Sequence, residues 1–240
     1  MTDHDIVILT EIKRAKLNHA PGFIPVVAKN QNSQRGGVAI LFKQEIYQEV
    51  TAIDTTAQEQ IWFQLRTVPG MKFGGVYIPP SDSPFFSSTS FAEIQARTQD
   101  SAYGYIVAGD MNTRCGDLVN YLVKDCHEIY YRPVDKTVNS NGKAIVQVCK
   151  DNNLVALNNL YTDVWSYPSS LTYRKKDKWI SEVDYCFSSI HCINCATNLK
   201  VVQSTDLPSD HAPMSIDLSF PEEMIDAKVL LQRAQDVFTL

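Results

Sequence analysis

Short apolar runs with β-branched centres punctuate this chain, and most of them end on a glycine, a proline or a polar pair. This pattern constrains the fold more than any other feature. Runs of about four to eight such residues between turn formers read as strands. Ile6–Leu9, Ile24–Ala28, Gly36–Phe42, Ile46–Ile53, Gln60–Thr67, Phe73–Ile78, Leu154–Leu157, Leu171–Arg174, Val183–Phe187 and Met214–Leu218 all fit. Ile46–Ile53 and Gln60–Thr67 alternate apolar and polar residues, as half-buried antiparallel strands do. Pro69-Gly70 marks a turn, and Pro79-Pro80 stops a strand because proline has no N–H for a ladder. Helical spacing is rarer. It occurs at Phe91, Ile94 and Thr98, at Leu118, Val119, Leu122 and Val123, and at Ala144, Ile145, Val148 and Cys149, the last group entered through an Asn141-Gly142 turn. Many strands with few, peripheral helices imply two sheets packed face to face with helices outside.

Met224, Ala227, Leu231, Ala234 and Phe238 recur at a spacing of three or four. They read as an amphipathic tail helix that packs on the domain or meets a protein partner. We therefore expect a domain over residues 1–220 and a helical tail over 221–240. At 240 residues and 44% apolar, the chain has the size for a real core. Its net charge of -5 argues against a non-specific nucleic-acid coat protein but leaves room for an enzyme with a local basic cleft.

The six cysteines are irregularly spaced for a disulfide framework, and several sit in apolar runs where a thiol packs as a small hydrophobe. They point to a reducing, intracellular setting. Cys192-x-x-Cys195, preceded by His191, has zinc-like spacing but lacks the second pair that a structural zinc site needs. Ile6–Leu9 is too short for a signal peptide, and no stretch approaches a membrane span.

The stretch Tyr105-Ile-Val-Ala-Gly109-Asp110-Met111-Asn112 reads as a buried strand running out into a loop. Ligands in buried sheets tend to sit at strand ends. Asp110 and Asn112, two positions apart, can point the same way. A carboxylate beside an amide suits a hard metal ion and a phosphate oxygen, although an Asx turn capping the strand accounts equally well for the stretch alone. Other polar residues lie beside strands too. Glu11 ends the first, Tyr77 sits near the end of another, Asp184 lies inside Val183–Phe187, and Asp210-His211 precedes the last. Each has a structural reading of its own: a surface Glu11, a buried and bonded Asp184, a satisfied loop His211. Together they make chemical sense. Glu11 and Asp210 suit Mg²⁺, Asp110 and Asn112 suit a nucleophilic water, and Asp184 would fix the tautomer of His211 beside a phosphate. That set performs metal-assisted phosphodiester hydrolysis.

Leu9-Thr-Glu11, Arg35-Gly-Gly-Val-Ala-Ile-Leu-Phe42, Val76-Tyr-Ile-Pro-Pro80, Gly109-Asp-Met-Asn112, Val183-Asp-Tyr185 and Ser209-Asp-His211 occur in the order of the endonuclease/exonuclease/phosphatase superfamily, which the chain resembles from about residue 5 to 219. The segment Asn139–Cys149 followed by Leu154–Asn158 is similar to the apurinic-type endonuclease domain of non-LTR retrotransposons. The resemblance implies a DNase I-like fold, a four-layer α/β sandwich of two mostly antiparallel sheets flanked by helices. It implies Glu11 as principal ligand of Mg²⁺ (or Mn²⁺) with Asp210 near the metal. Tyr77, Asp110 and Asn112 would meet the phosphate or the water, and His211, oriented by Asp184, would be the catalytic histidine. The implied activity is an endonuclease nicking DNA, nuclear where the target is chromosomal, with a reverse transcriptase domain as a possible partner. A catalytically silent remnant that binds nucleic acid or protein is the alternative, and a phosphatase on small or lipid phosphoesters a third reading.

Two departures qualify the resemblance. The family's first strand carries an asparagine some tens of residues before the glutamate, whereas only ten residues precede Glu11. We therefore expect a sheet without that strand, its neighbours' backbone groups unpaired and the core opened. Relatives also carry a basic residue just before the Val183-Asp184 strand, where this chain has Glu182. Arg174, Lys175, Lys176 and Lys178 lie shortly before, with Tyr173 and Trp179 interleaved. That loop is either a solvated surface or a grip on a nucleic-acid backbone with an aromatic for stacking.

Overall fold

The computed structural model describes residues 4–12, 20–28, 36–99, 104–122, 129–162 and 170–225. The tail helix expected beyond residue 225 lies outside them. The first strands are β1 (Ile6–Leu9), β2 (Phe23–Val27) and β3 (Ala39–Lys43), joined antiparallel in the order β1-β3-β2. Their β-branched residues suit a pleated, half-buried surface. A helical turn, α1 (Gln44–Tyr47), follows, and β4 begins only at Val50 and ends at Asp54. The single strand expected over Ile46–Ile53 is thus divided. Ile46 packs against the core from α1, and the Phe42 and Tyr47 rings lie 5.9 Å apart.

The central sheet is built from β5 (Gln60–Leu65), β6 (Met71–Tyr77), β7 (Gly104–Asp110), β9 (Leu154–Ala156) and β13 (Asp184–Ser189), with β4 at one edge. Its order is β4-β5-β6-β7-β13-β9. Only β6 and β7 run parallel, and α2 (Thr89–Arg97) lies in the crossover between them, as a parallel connection requires. Phe63 of β5 points one way, its ring 5.0 Å from Phe42 of the other sheet and 5.1 Å from Phe73. Gln60 points the other way and donates to Ser90 O of α2. The two faces of this sheet therefore meet the second sheet and the helices respectively, and each fully buried apolar side chain between them contributes about 1.5–3 kcal/mol.

Helix α3 (Ser140–Asp151) packs on α2 and on β9. Asn139 caps it, its side chain accepting the Gly142 N–H at 2.7 Å. Asn141 and Gly142 are thus the buried first turn of a helix and not the loop turn the sequence suggested. A Cβ on Gly142 would collide with Arg114 O. Among the described residues, four strands escaped sequence reading: β8 (Ile129–Tyr131), β10 (Leu160–Thr162), β12 (Lys178–Ser181) and β14 (Ala196–Val201). They pair as β8/β10, as β12 with β11 (Tyr173–Lys175), and as β14 with β15 (Met214–Leu218). Of Leu118, Val119, Leu122 and Val123, expected as a short helix, the first three fall in a 3₁₀ segment, Gly116–Leu122, and Val123 lies outside the described residues.

Among the described residues, β1 pairs only with β3 and β15 only with β14. A cavity of about 390 Å³ opens between them, lined by Ile6 and Ile8 of β1, Ile216 and Leu218 of β15, and Phe73 and Ile106 of the central sheet. Among the described residues, an apolar gap thus separates these two strands. The five described cysteines are buried. Cys192 Sγ lies 3.7 Å from Met71 Sδ and Cys195 Sγ 3.9 Å from Met224 Sδ, a sulfur-lined piece of core.

Candidate active site

Registered strands bring the site together. In the parallel ladder Tyr77 of β6 stands opposite Asp110 of β7, and in the next, antiparallel ladder Asp110 stands opposite Asp184 of β13. Residues registered across neighbouring strands share a face, so three strand ends present a phenol and two carboxylates side by side. Ile106 and Ala108, which alternate with Asp110 along β7, line the cavity between the sheets. The site is therefore on the face that meets the second sheet.

Gly109 makes this close assembly possible. Its φ is +146°, and a Cβ there would run into the carbonyl oxygen of Val76. Asp110 is buried, and one carboxylate oxygen accepts the Asn112 N–H at 2.9 Å while the other faces Asn112 Nδ2 at 3.2 Å. The Asx turn read from the sequence is present, and it sets Asp110 and Asn112 within the candidate site. Asn112 has φ +47°, which asparagine tolerates, and Glu11 has φ +54°, which glutamate seldom adopts. Such backbone conformations cluster at functional sites. Asn112 also donates to Ile78 O at 3.1 Å, and its own carbonyl accepts from Asn139 Nδ2 at 2.9 Å, which ties the loop to the α3 cap.

His211 hangs over this edge from the loop before β15. Its Nδ1 lies 2.9 Å from Asp184 Oδ2 and 3.1 Å from Oδ1. Burial alone would lower the imidazole pKa, but the Asp184 hydrogen bond and charge, reinforced by Asp110 and Asp210, raise it to about 9. Asp110 is pushed well above the ordinary carboxylate range, first by burial and then by the Asp184 charge; His211 opposes this. Tyr77 donates its hydroxyl to Glu11 Oε1 at 2.8 Å. Burial, then this bond and the Glu11 charge, holds its phenol protonated well above the usual range.

Among the described residues, Asp110, Asp184 and His211 bring ligating atoms within 4.8 Å of one another. Two buried carboxylates in repulsion form an anionic pocket that a divalent cation beside them would relieve, so the residues fit a hard cation with oxygen ligands. Glu11 is adjacent, its charge felt by Asp110. Asp210 is exposed, and its carboxylate is outside the three-residue group although its charge reaches His211. Arg174, Lys175, Lys176 and Trp179 all lie on the β11–β12 hairpin. Lys175 and Lys176 are exposed, and the Arg174 guanidinium is 5.8 Å from the Trp179 ring centroid. Glu182 does not face the site. It is buried, accepting from Asn158 at 3.1 Å and Asn159 at 2.7 Å, and burial raises its pKa to about 7.

Sequence reading missed the residues that hold the set in place. Thr172 Oγ1 accepts from the Val183 N–H at 3.0 Å and the Asp184 N–H at 3.1 Å. Asn158 spans β9 and β13, donating to Asp184 O at 3.0 Å and accepting from Cys186 N at 2.9 Å. Asn139 was within reach of sequence, because an Asn immediately before an apolar-periodic segment is a helix N-cap signal. Thr172 and Asn158 carry no such signal.

Comparison with solved structures shows the same architecture. The chain is similar to the AP endonuclease of Leishmania major, with a TM-score of 0.65 at 14% identity, covering 90% of this chain and 79% of that one. It is similar to the endonuclease domain of TRAS1, a telomere-specific non-LTR retrotransposon, with a TM-score of 0.60 at 16% identity over 89% of this chain and 85% of that one. It is also similar to the Neisseria 3′ phosphatase NExo bound to a product DNA hairpin, with a TM-score of 0.61 at 17% identity over 90% and 89%. At these identities the likeness is one of fold, DNase I-like as expected. No curated protein sequence matches. The model of the endonuclease/exonuclease/phosphatase family matches residues 1–211, nearly the whole chain, and with the ordered strand-end residues it shows that this protein belongs to that family.

Proposed function

We propose that this protein is a divalent-cation-dependent endonuclease that nicks DNA and derives from a retroelement. The observation that carries the reading is the meeting of Asp110, Asp184 and His211 at adjoining strand ends, beside the Glu11–Tyr77 pair. Glu11 would hold a Mg²⁺ ion, with Asp210 contributing from the loop; when bound, such an ion neutralises phosphate charge and lowers the pKa of a coordinated water. Asp110 is the acceptor placed to take a proton from the attacking water, and Asn112 orients it. Its raised pKa, caused by burial and Asp184, makes it a stronger base than a free aspartate. Asp184 holds His211 Nδ1, leaving Nε2 to donate to a phosphate oxygen, and a pKa near 9 keeps that imidazole protonated at neutral pH. Tyr77, kept protonated, donates to Glu11 and fixes its carboxylate. The DNA substrate is the reading favoured by the exposed Lys175 and Lys176 beside Trp179 on the hairpin next to His211.

A second reading draws on the apolar cavity of about 390 Å³ behind the site. A core open at that point favours a catalytically silent module that binds nucleic acid. One experiment separates the two. Supercoiled plasmid is incubated with the purified chain and Mg²⁺, with and without EDTA, beside Asp110→Ala and His211→Ala. Nicking that disappears with EDTA and in both variants supports the enzyme. A folded wild-type chain that binds plasmid without nicking it supports the silent module.

A further inference from the structure

Three backbone carbonyls of the segment that leads to His211 converge on one side chain. Arg174 Nη2 donates to Leu207 O and to Ser209 O, each at 2.9 Å. Its Nε donates to Ser209 O at 3.2 Å and its Nη1 to Thr205 O at 3.4 Å. The backbone continues the attachment. Arg174 N donates to Asp210 O at 2.8 Å, Ala212 N donates to Thr172 O at 2.7 Å, and Tyr173 bridges His211. Within the segment, His211 N donates to Ser209 Oγ at 3.0 Å. The Trp179 ring covers the guanidinium from one side.

We infer that Arg174 is a positioning residue. It clamps the 205–210 loop and so sets His211 against Asp184 and Asp110, a role distinct from both the solvated surface and the nucleic-acid grip that the sequence left open. The chemistry of the guanidinium favours the clamp. Its five N–H groups form a rigid planar fork, and here the fork makes four bonds to three carbonyls. Carbonyls from three positions of an irregular loop are held together by a cation with several donors, and a lysine, a point charge with rotating donors, cannot reproduce the set. An arginine committed in this way has little donor capacity left for a DNA phosphate. Lys175 and Lys176, exposed on the same hairpin, keep theirs. The consequence for the site is geometric. His211 is held by Asp184 from the strand side and by the loop from the other, and a displacement of about 1 Å at a reacting group costs on the order of 10²-fold in rate.

This inference rests on the nuclease reading for its kinetic test but not for its structural one. Arg174→Ala, Arg174→Lys and Lys176→Ala are compared with wild type by nicking rate over a range of plasmid and salt concentrations, and by amide hydrogen exchange over 204–212. The clamp requires Arg174→Ala to lower kcat by about 10–100-fold with KM and its salt dependence unchanged, and Arg174→Lys to recover little of it. Exchange in the loop accelerates in both Arg174 variants. Lys176→Ala gives the opposite split, a higher KM and a salt slope shallower by about one. If Arg174→Ala instead raises KM and flattens the salt slope with kcat kept, Arg174 contacts phosphate and the inference is overturned. If wild type does not nick, the nuclease reading fails on its own, and the exchange measurement still decides. Faster loop exchange in both Arg174 variants supports the clamp, and unchanged exchange overturns it.

Discussion

Asp184 stands directly opposite Asp110 in the antiparallel ladder of β7 and β13, so two carboxylates share one face at one strand end. Like charges opposite one another destabilise a sheet by up to about 1 kcal/mol, and burial of Asp110 adds to this. We therefore expect Asp110→Asn to raise the melting temperature in EDTA by roughly 2–4 °C for a chain of this size. Wild type should gain stability on adding Mg²⁺, about 2.7 kcal/mol at a hundredfold excess over Kd, and the variant should gain less. Thermal melts of both proteins with and without Mg²⁺ test this. Identical Mg²⁺ responses would show that Asp110 does not sense a cation held at Glu11.

Asp184→Asn separates orientation from folding. The amide can still meet His211 Nδ1, but it offers a donor where the imidazole needs an acceptor, and so favours the wrong tautomer. Nicking should fall by about 10²–10⁴-fold while the circular dichroism spectrum is unchanged. A loss under tenfold would show that the pair is structural.

Gly109→Ala should be among the most damaging single substitutions in the chain. The residue sits at φ +146°, and the added Cβ meets Val76 O across the β6–β7 ladder. Strain and strand displacement together cost more than about 2 kcal/mol. A variant with an unchanged denaturation midpoint would show that β7 can shift freely there.

The buried end of the Arg114–Asp135 pair gives a pH dependence with a defined sign. Arg114 Nε lies 2.7 Å from Asp135 Oδ2, with side-chain exposures of 30% and 4%. Burial would raise the Asp135 pKa, but bonds from Arg114, Thr137 N and Glu182 N prevail and lower it. A carboxylate depressed in the folded state contributes stability above its unfolded pKa of about 3.9, and this is lost as pH falls through the folded value. Asp135→Asn should therefore destabilise by about 2–3 kcal/mol at neutral pH, and the gap to wild type should close only in strong acid. Urea denaturation at a series of pH values measures it. A gap that widens toward acid would contradict the assignment.

The strand candidates were legible because their residues alternate or cluster with a period the backbone imposes, and Gly109-Asp110-Met111-Asn112 was legible because a glycine and two side chains with local bonding habits end an apolar run. Ile46–Ile53 was misread. Its alternation is that of a strand, but Ile46 and Tyr47 pack better from a helical turn against Phe42. β8 and β10 are three residues each, too short for a period to show, and they exist only because they pair with one another. Glu182 stands where relatives carry a basic residue, but two asparagine amides from the loop after β9 turn it inward.

By itself, the sequence determined the strands that carry the candidate site residues, the family and the acids at those strand ends, because these follow from local periodicity and from residue types in order. Tertiary structure alone decided which acids meet. Asp110, Asp184 and His211 are far apart in the chain, and ladder register places the two carboxylates face to face while the loop held at Arg174 delivers the histidine. Asp210, adjacent to His211 in sequence, stays outside their cluster. Register and loop anchoring are long-range properties, fixed by how the sheets pack, and no local pattern encodes them.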